Sequence, residues 1–209
     1  MDPISTVEKD GYIIEIHYDT TDCTNPREWE NTGRMVCSHK RYNLGDSEKT
    51  LGFTFQPGDF DSWDAVEKWL EEEIHAFVTV PMSMTDHSGL FIEAGRVRGW
   101  DSGQIGFAYM TEDAAKAAWS DLSGAELVER ARQCLLAEIE EYSDYVAGNV
   151  YCYRIRKKCD SCGHPEVVES GYGYIGDGGA KDAMQEALST VAYLTKKKEG
   201  SIGADTQTA

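Results

Sequence analysis

The stretch "FVTVPMSMTDHSGLFIEAG", residues 77–95, decides the fold class. Two strand-like runs flank Asp86, His87, Ser88 and Gly89, and that connection has the length of a hairpin loop. Glycine tolerates positive φ, while Asp and Ser bond to neighbouring backbone, so such a tetrapeptide favours a turn that brings its flanking strands together antiparallel. The next strand-like run, "QIGFAYMT" (104–111), starts behind "WDSG" (100–103), a second corner of the same composition.

Working outward, "DSWDAVEKWLEEEIHAF" (61–77) predicts a helix, because Trp63, Val66, Leu70, Ile74 and Phe77 recur at spacings of three and four. "GYIIEIHYD" (11–19) alternates, with Tyr12, Ile14 and Ile16 on one face, and Met35, Val36 and Cys37 begin another strand. "TEDAAKAAW" (111–119) reads as a short helical turn opened by Thr111. "SGAE" (123–126) has the capping-box spacing, and it opens a longer helix that runs to Gly148. Val128, Ala131, Leu135, Ile139, Tyr142 and Val146 are its expected buried face. "NVYCYRIRK" (149–157) and "EVVESGYGYIGD" (166–177) read as paired strands around "KCDSCGH" (158–164), followed by a helix over 180–194. The expectation is an α+β fold, an antiparallel sheet with helices packed mainly on one face. A single domain covers residues 1–195, and 196–209 form a flexible polar tail.

Charge restricts the function. The net charge is −17. Residues 1–60 hold eleven acids and six bases, residues 61–148 eighteen and six, and residues 149–209 eight of each. Direct binding to DNA or RNA is disfavoured, since phosphate contacts need clustered Lys and Arg. A partner with a basic surface is favoured instead. The start "MDPISTVEKDG" has neither a basic opening nor an apolar run, so no signal peptide is expected, and no apolar run is long enough to span a membrane. The expected location is the cytoplasm. Cys23, Cys37, Cys134, Cys152, Cys159 and Cys162 are then expected as free thiols.

Four candidate sites stand out. Asp86, His87 and Ser88 are adjacent and cannot form a triad by adjacency, so they read first as turn corners. A catalytic version would take Cys37 as nucleophile, His39 or His87 as base and Asp101 as orienter, on a small-molecule or nucleotide substrate. Cys159 and Cys162 are half of a zinc site; no second pair follows, so a polar hairpin tip without metal or other cofactor is the expectation, and zinc is the alternative if Cys23, Cys37 or His39 completes the shell through the fold. Gly171, Gly173 and Gly176 spell GxGxxG without the βαβ frame that dinucleotide binding needs. The fourth candidate is a pair of acidic helix faces, with Glu67, Glu71 and Glu72 on one and Glu140, Glu141 and Asp144 on the other. Carboxylates spaced along a helix can resemble phosphates to a nucleic-acid-binding protein.

Three ordered blocks, "NPREWENTGRMVCSHKRYNLGD" (25–46), "MTDHSGL" (84–90) and "WDSGQIGFAYM" (100–110), resemble a family of uncharacterised proteins encoded by bacteriophages, plasmids and other mobile elements. The resemblance runs across roughly residues 11–177, and "KKCDSCGH" is not part of its pattern. It implies an accessory protein working inside a bacterium and assigns no activity, cofactor or catalytic residue. Trp29, His39, Arg41, Tyr42, Asp86, His87, Trp100, Asp101 and Gln104 recur in that pattern, as one fold-defining network or as the lining of one site. The functional expectation is an acidic anti-defence protein (anti-restriction or anti-CRISPR) that binds a basic, nucleic-acid-binding host protein. The sequence leaves its oligomeric state open.

Overall fold

The computed structural model describes residues 2–21, 25–159 and 161–205, with side chains through Lys197. Cys23 and the last four residues of the expected tail lie outside the described residues, and residues 196–205, expected as flexible tail, continue the final helix instead. In chain order the elements are β1 (Ser5–Lys9), β2 (Tyr12–Tyr18), β3 (Arg34–Cys37), α1 (Glu48–Leu51), α2 (Trp63–Glu72), β4 (Ala76–Asp86) and β5 (Leu90–Ala94). There follow β6 (Ser102–Thr111), α3 (Glu112–Ala118), α4 (Gly124–Ala147), β7 (Val150–Lys158), β8 (Pro165–Ile175) and α5 (Gly179–Asp205). The class is the expected one, α+β with antiparallel pairing throughout, but there are two four-stranded sheets. The chain divides into two compact units, Met1–Thr24 with Gly148–Ala209, and Asn25–Ala147. No helix among the described residues is long and apolar enough to cross a membrane.

The first unit holds the sheet β1-β2-β7-β8. Tyr12, Ile14 and Ile16 form the buried face of β2, as their alternation predicts, and Ile14 and Ile16 lie opposite Ile155 and Tyr153 of β7. Ala183, Ala187 and Val191 of α5, spaced by four, are fully buried in the same core. β1 is exposed along its length and pairs with β2 from Ser5↔Ile16 to Lys9↔Tyr12, with Asp10 and Gly11 between them at φ 50° and 79°. Two successive positive φ values make the tight turn whose twist suits a hairpin.

The second unit holds the sheet β3-β6-β4-β5, and here the helices do not share a face. Met35, Val80, Met82, Met84, Ala108 and Met110 pack with Leu127, Ala131, Leu135, Ile139 and Tyr142 of α4. The alternate residues Val36, Phe107 and Tyr109 pack with Val66 and Leu70 of α2, beneath Phe53, Phe55, Phe60, Trp63 and Trp69. Successive strand side chains point to opposite faces, so α2 and α4 lie on opposite sides of this sheet. β6 is therefore buried from Ile105 through Met110 without alternation.

Two local expectations are corrected. The helix expected over 61–77 ends after Glu72, because three consecutive glutamates, Glu71 to Glu73, sit at its negative end and His75 takes a φ of 59°. Phe77 then belongs to β4, not to the helix stripe. In α4 the first buried position is Leu127, while Val128 is 38% exposed.

Candidate functional site

Of the nine residues that recur in the three sequence blocks, all but Trp29 gather around two corners of the second unit's sheet. The segment 87–89 turns between β4 and β5, with Ser88 at φ 58°, so "DHSG" is a hairpin corner as its composition predicts. Gly99 bridges to Ser102, placing Trp100 and Asp101 at the tip of a two-residue turn. The Asp86 amide donates to the Asp101 carbonyl at 3.0 Å, which ties the two corners together. The Thr85 and Ser102 hydroxyls meet at 2.8 Å.

Between these corners and the segment after β3 lies a cavity of about 310 Å³, lined by His39, Arg41, Met84, Asp86, Trp100, Asp101, Ser102, Gly103, Gln104 and Ile105. Arg41 forms an ion pair with Asp86, and the Tyr42 hydroxyl donates to the same carboxylate oxygen at 3.4 Å. His39 stacks on Tyr42 with ring centroids 5.0 Å apart, and its Nδ1 accepts from the Arg41 amide at 3.3 Å. His87 Nδ1 lies 3.2 Å from Asp101 Oδ2 in an exposed pair. Trp100 is 99% exposed. Tryptophan is enriched among the side chains that anchor protein interfaces.

The proposed catalytic set comes together only in part. His87 and Asp101 meet, and His39 and Asp101 line the same cavity, but Cys37 points elsewhere. Cys37 packs against the α4-side core, where its Sγ fills the space a Cβ on Gly45 would need. Burial, and then the Asp46 charge, push its thiol up to about 12. A thiol so protonated at neutral pH is no nucleophile. The Ser102 hydroxyl meets that of Thr85, and the His87–Asp101 pair remains as a base and its orienter.

The blocks also carry a structural network. Arg27 is buried, with Nε donating to Asp46 Oδ1 at 2.7 Å, Nη1 to Glu138 Oε2 at 2.9 Å and Nη2 to the Gly33 carbonyl at 3.0 Å. Glu138 of α4 accepts in turn from the Thr32 and Gly33 amides, and Asp46 from the Met35 amide. Burial opposes the Arg27 charge, and the Asp46 and Glu138 carboxylates outweigh it, leaving the guanidinium held above its ordinary value. Sequence reasoning did not single out Arg27, Asp46 and Glu138. The available signal was the position of Arg27 and Asp46 at the two ends of one block. Trp29, of the same block, is 43% exposed and does not line the cavity.

The acidic helices differ from each other. On α2, Arg96 bridges Asp64 and Glu67, and Lys68 lies 3.6 Å from Glu72, which leaves Glu71 without an ion pair among the described residues. On α4, Glu126, Glu129, Glu140 and Asp144 fall within a sector of roughly 60° at the helical repeat, turned away from the buried residues of that helix. Glu141 stands apart from that row and is half-buried. Burial and the neighbouring Glu138 charge raise its carboxyl above the usual range. Cys159 and Cys162 lie in the turn between β7 and β8. No family model, no curated protein and no solved structure matches this chain.

Proposed function

We propose that the protein acts by binding another protein, and that its partner is a basic, nucleic-acid-binding surface of a bacterial host. The reading is that of an accessory protein of a mobile element that blocks a restriction or CRISPR effector by occupying its nucleic-acid site. The observation that carries it is the row Glu126, Glu129, Glu140 and Asp144 on the solvent side of α4, in a chain of net charge −17. Because α2 and α4 take opposite sides of their sheet, one flat docking face can use only one of them. The Arg96 bridge on α2 favours α4. The acids form two pairs, Glu126 with Glu129 and Glu140 with Asp144, three and four residues apart, so that neighbours within a pair stand about 5–6 Å apart while the two pairs are separated by about 16 Å of helix, and both turn negative charge toward a groove built for phosphates.

The test is displacement. Purified effectors loaded with labelled DNA are titrated with the protein at increasing salt. Release of DNA is expected for a susceptible effector, weakening steeply with salt. The combined variant Glu126→Lys, Glu129→Lys and Glu140→Lys should abolish release. Displacement that survives this charge reversal, or no displacement across a panel of such effectors, removes the reading.

A second reading is favoured by the His87–Asp101 pair beside the cavity, an arrangement that could hold a general base over a small polar substrate. It requires substrate-derived or water nucleophiles, since Cys37 is out of reach. Turnover of a nucleotide panel that is lost in His87→Asn would support it, and turnover unchanged in that variant would exclude it.

A further inference from the structure

The turn "KKCDSCGH" (157–164) takes no part in the docking surface or the cavity. Cys159 follows directly on β7, and Glu166 is the second residue of β8. The strands close on each other through the pair Lys158↔Pro165. This brings two thiols and a carboxylate together. The ligand atoms of Cys159, Cys162 and Glu166 all lie within 4.8 Å of one another.

Two backbone hydrogen bonds close the turn at Cys159. The Cys159 amide donates to the His164 carbonyl at 2.9 Å, and the Gly163 amide donates to the Cys159 carbonyl at 2.9 Å. Gly163 has a φ of 73°, the left-handed value that lets the chain reverse immediately after the second cysteine. The Ser161 hydroxyl lies 3.0 Å from the Cys159 sulfur.

We propose that Cys159, Cys162 and Glu166 bind one zinc-like divalent ion per chain, with water at the fourth position. A tetrahedral ion with zinc–sulfur bonds of about 2.3 Å and zinc–oxygen bonds of about 2.1 Å sets its ligand atoms roughly 3.6–3.8 Å apart, within the 4.8 Å that bounds these three atoms. Two thiolates select a thiophilic ion over magnesium or calcium. Binding forms two metal–sulfur bonds and releases both thiol protons to solvent, while the carboxylate binds as it stands. Two ligands from one side of the turn and one from the returning strand leave an open position, the form of a site able to accept a further ligand. The site is independent of the docking reading, since it lies in a different unit of the chain.

Cobalt(II) titration of the reduced full-length protein tests this directly. One equivalent should produce a thiolate-to-cobalt charge-transfer band with the intense visible bands of tetrahedral coordination, and zinc should bleach both. The double variant Cys159→Ser, Cys162→Ser should lose the charge-transfer band. Glu166→Gln should keep it while binding at least about tenfold more weakly, and Cys134→Ser should titrate like the parent. Bound zinc should also protect Cys159 and Cys162 from alkylation in the unmodified chain, a readout that needs no variant to fold. Absence of a thiolate band, unchanged binding in the double cysteine variant, unchanged affinity in Glu166→Gln or half an equivalent per chain would each overturn the site as drawn.

Discussion

Arg27 shows what a single buried charge does here. Its guanidinium joins the segment before β3, the loop holding Asp46 and α4 in one hydrogen-bonded set, with Asp46 fully shielded from water. Removing one partner from such a set leaves the other charges buried and unpaired, which costs about 3–5 kcal/mol. Arg27→Ala should therefore lower the stability of the protein by about that amount, read from the midpoint of urea unfolding, and a loss below about 1 kcal/mol would mean the set behaves as a surface pair. Glu141 acts in the opposite sense. Its folded carboxyl titrates above its ordinary value of 4.5, because burial and the Glu138 charge disfavour ionisation. The folded state thus binds this proton more tightly than the unfolded chain does, and the contribution to stability falls as pH rises through the window above 4.5. Glu141→Gln should raise the melting temperature near neutral pH, with the gain disappearing in acid below the ordinary carboxyl value. An equal gain at both pH values would place its cause in something other than ionisation.

At the scale of elements, β3 and β6 approach each other closely at Gly106. A Cβ on Gly106 would stand 1.9 Å from the Val36 carbonyl oxygen, a backbone atom with no room to retreat. Gly106→Ala should force the two strands apart and cost about 3 kcal/mol, the upper range of overpacking. Hydrogen exchange should show the damage first in the β3 amides, and intact β3 protection would refute the account. The hairpins β4–β5 and β7–β8, the β2 face and the helix α4 were legible because period and punctuation agree in them: Ile14 and Ile16 alternate, and Ala131, Leu135 and Ile139 step by four. The end of α2 was not, since Ile74 and Phe77 continue the helical spacing by chance while serving opposite faces of the sheet. β1 escaped because Val7 is its one apolar residue, although Asp10-Gly11 marks its hairpin. The side on which each helix packs could not be read at all. Apolar spacing states that a face is buried, not which face of which strand covers it. At the site, the two corners were visible as turn chemistry, but the cavity they share arises from the Asp86–Asp101 backbone bond, which joins residues fifteen apart. Cys37 looked available because neighbouring letters conceal opposite pleats.

For the molecule as a whole, the dominant quantity is a net charge of −17, and it makes one intervention act with two signs. Glu71, Glu126 and Glu140, among the described residues, have no ion pair, and at a net charge of −17 the folded chain carries a self-repulsion that the expanded chain relieves. Added salt shortens the Debye length from about 30 Å at 0.01 M to about 8 Å at 0.15 M, which screens that repulsion more than it weakens the buried Arg27 set. The melting temperature of the isolated protein should therefore rise over this range of sodium chloride. A partner that docks on the α4 row draws on the same unscreened field, so the complex should weaken over the salt range in which the free protein gains. Measuring both on one preparation separates the causes. If salt strengthens the fold and leaves the complex untouched, the carboxylates repel each other but do not make the contact. If salt does nothing to the fold, the acids are compensated locally, and the field invoked for docking has no source.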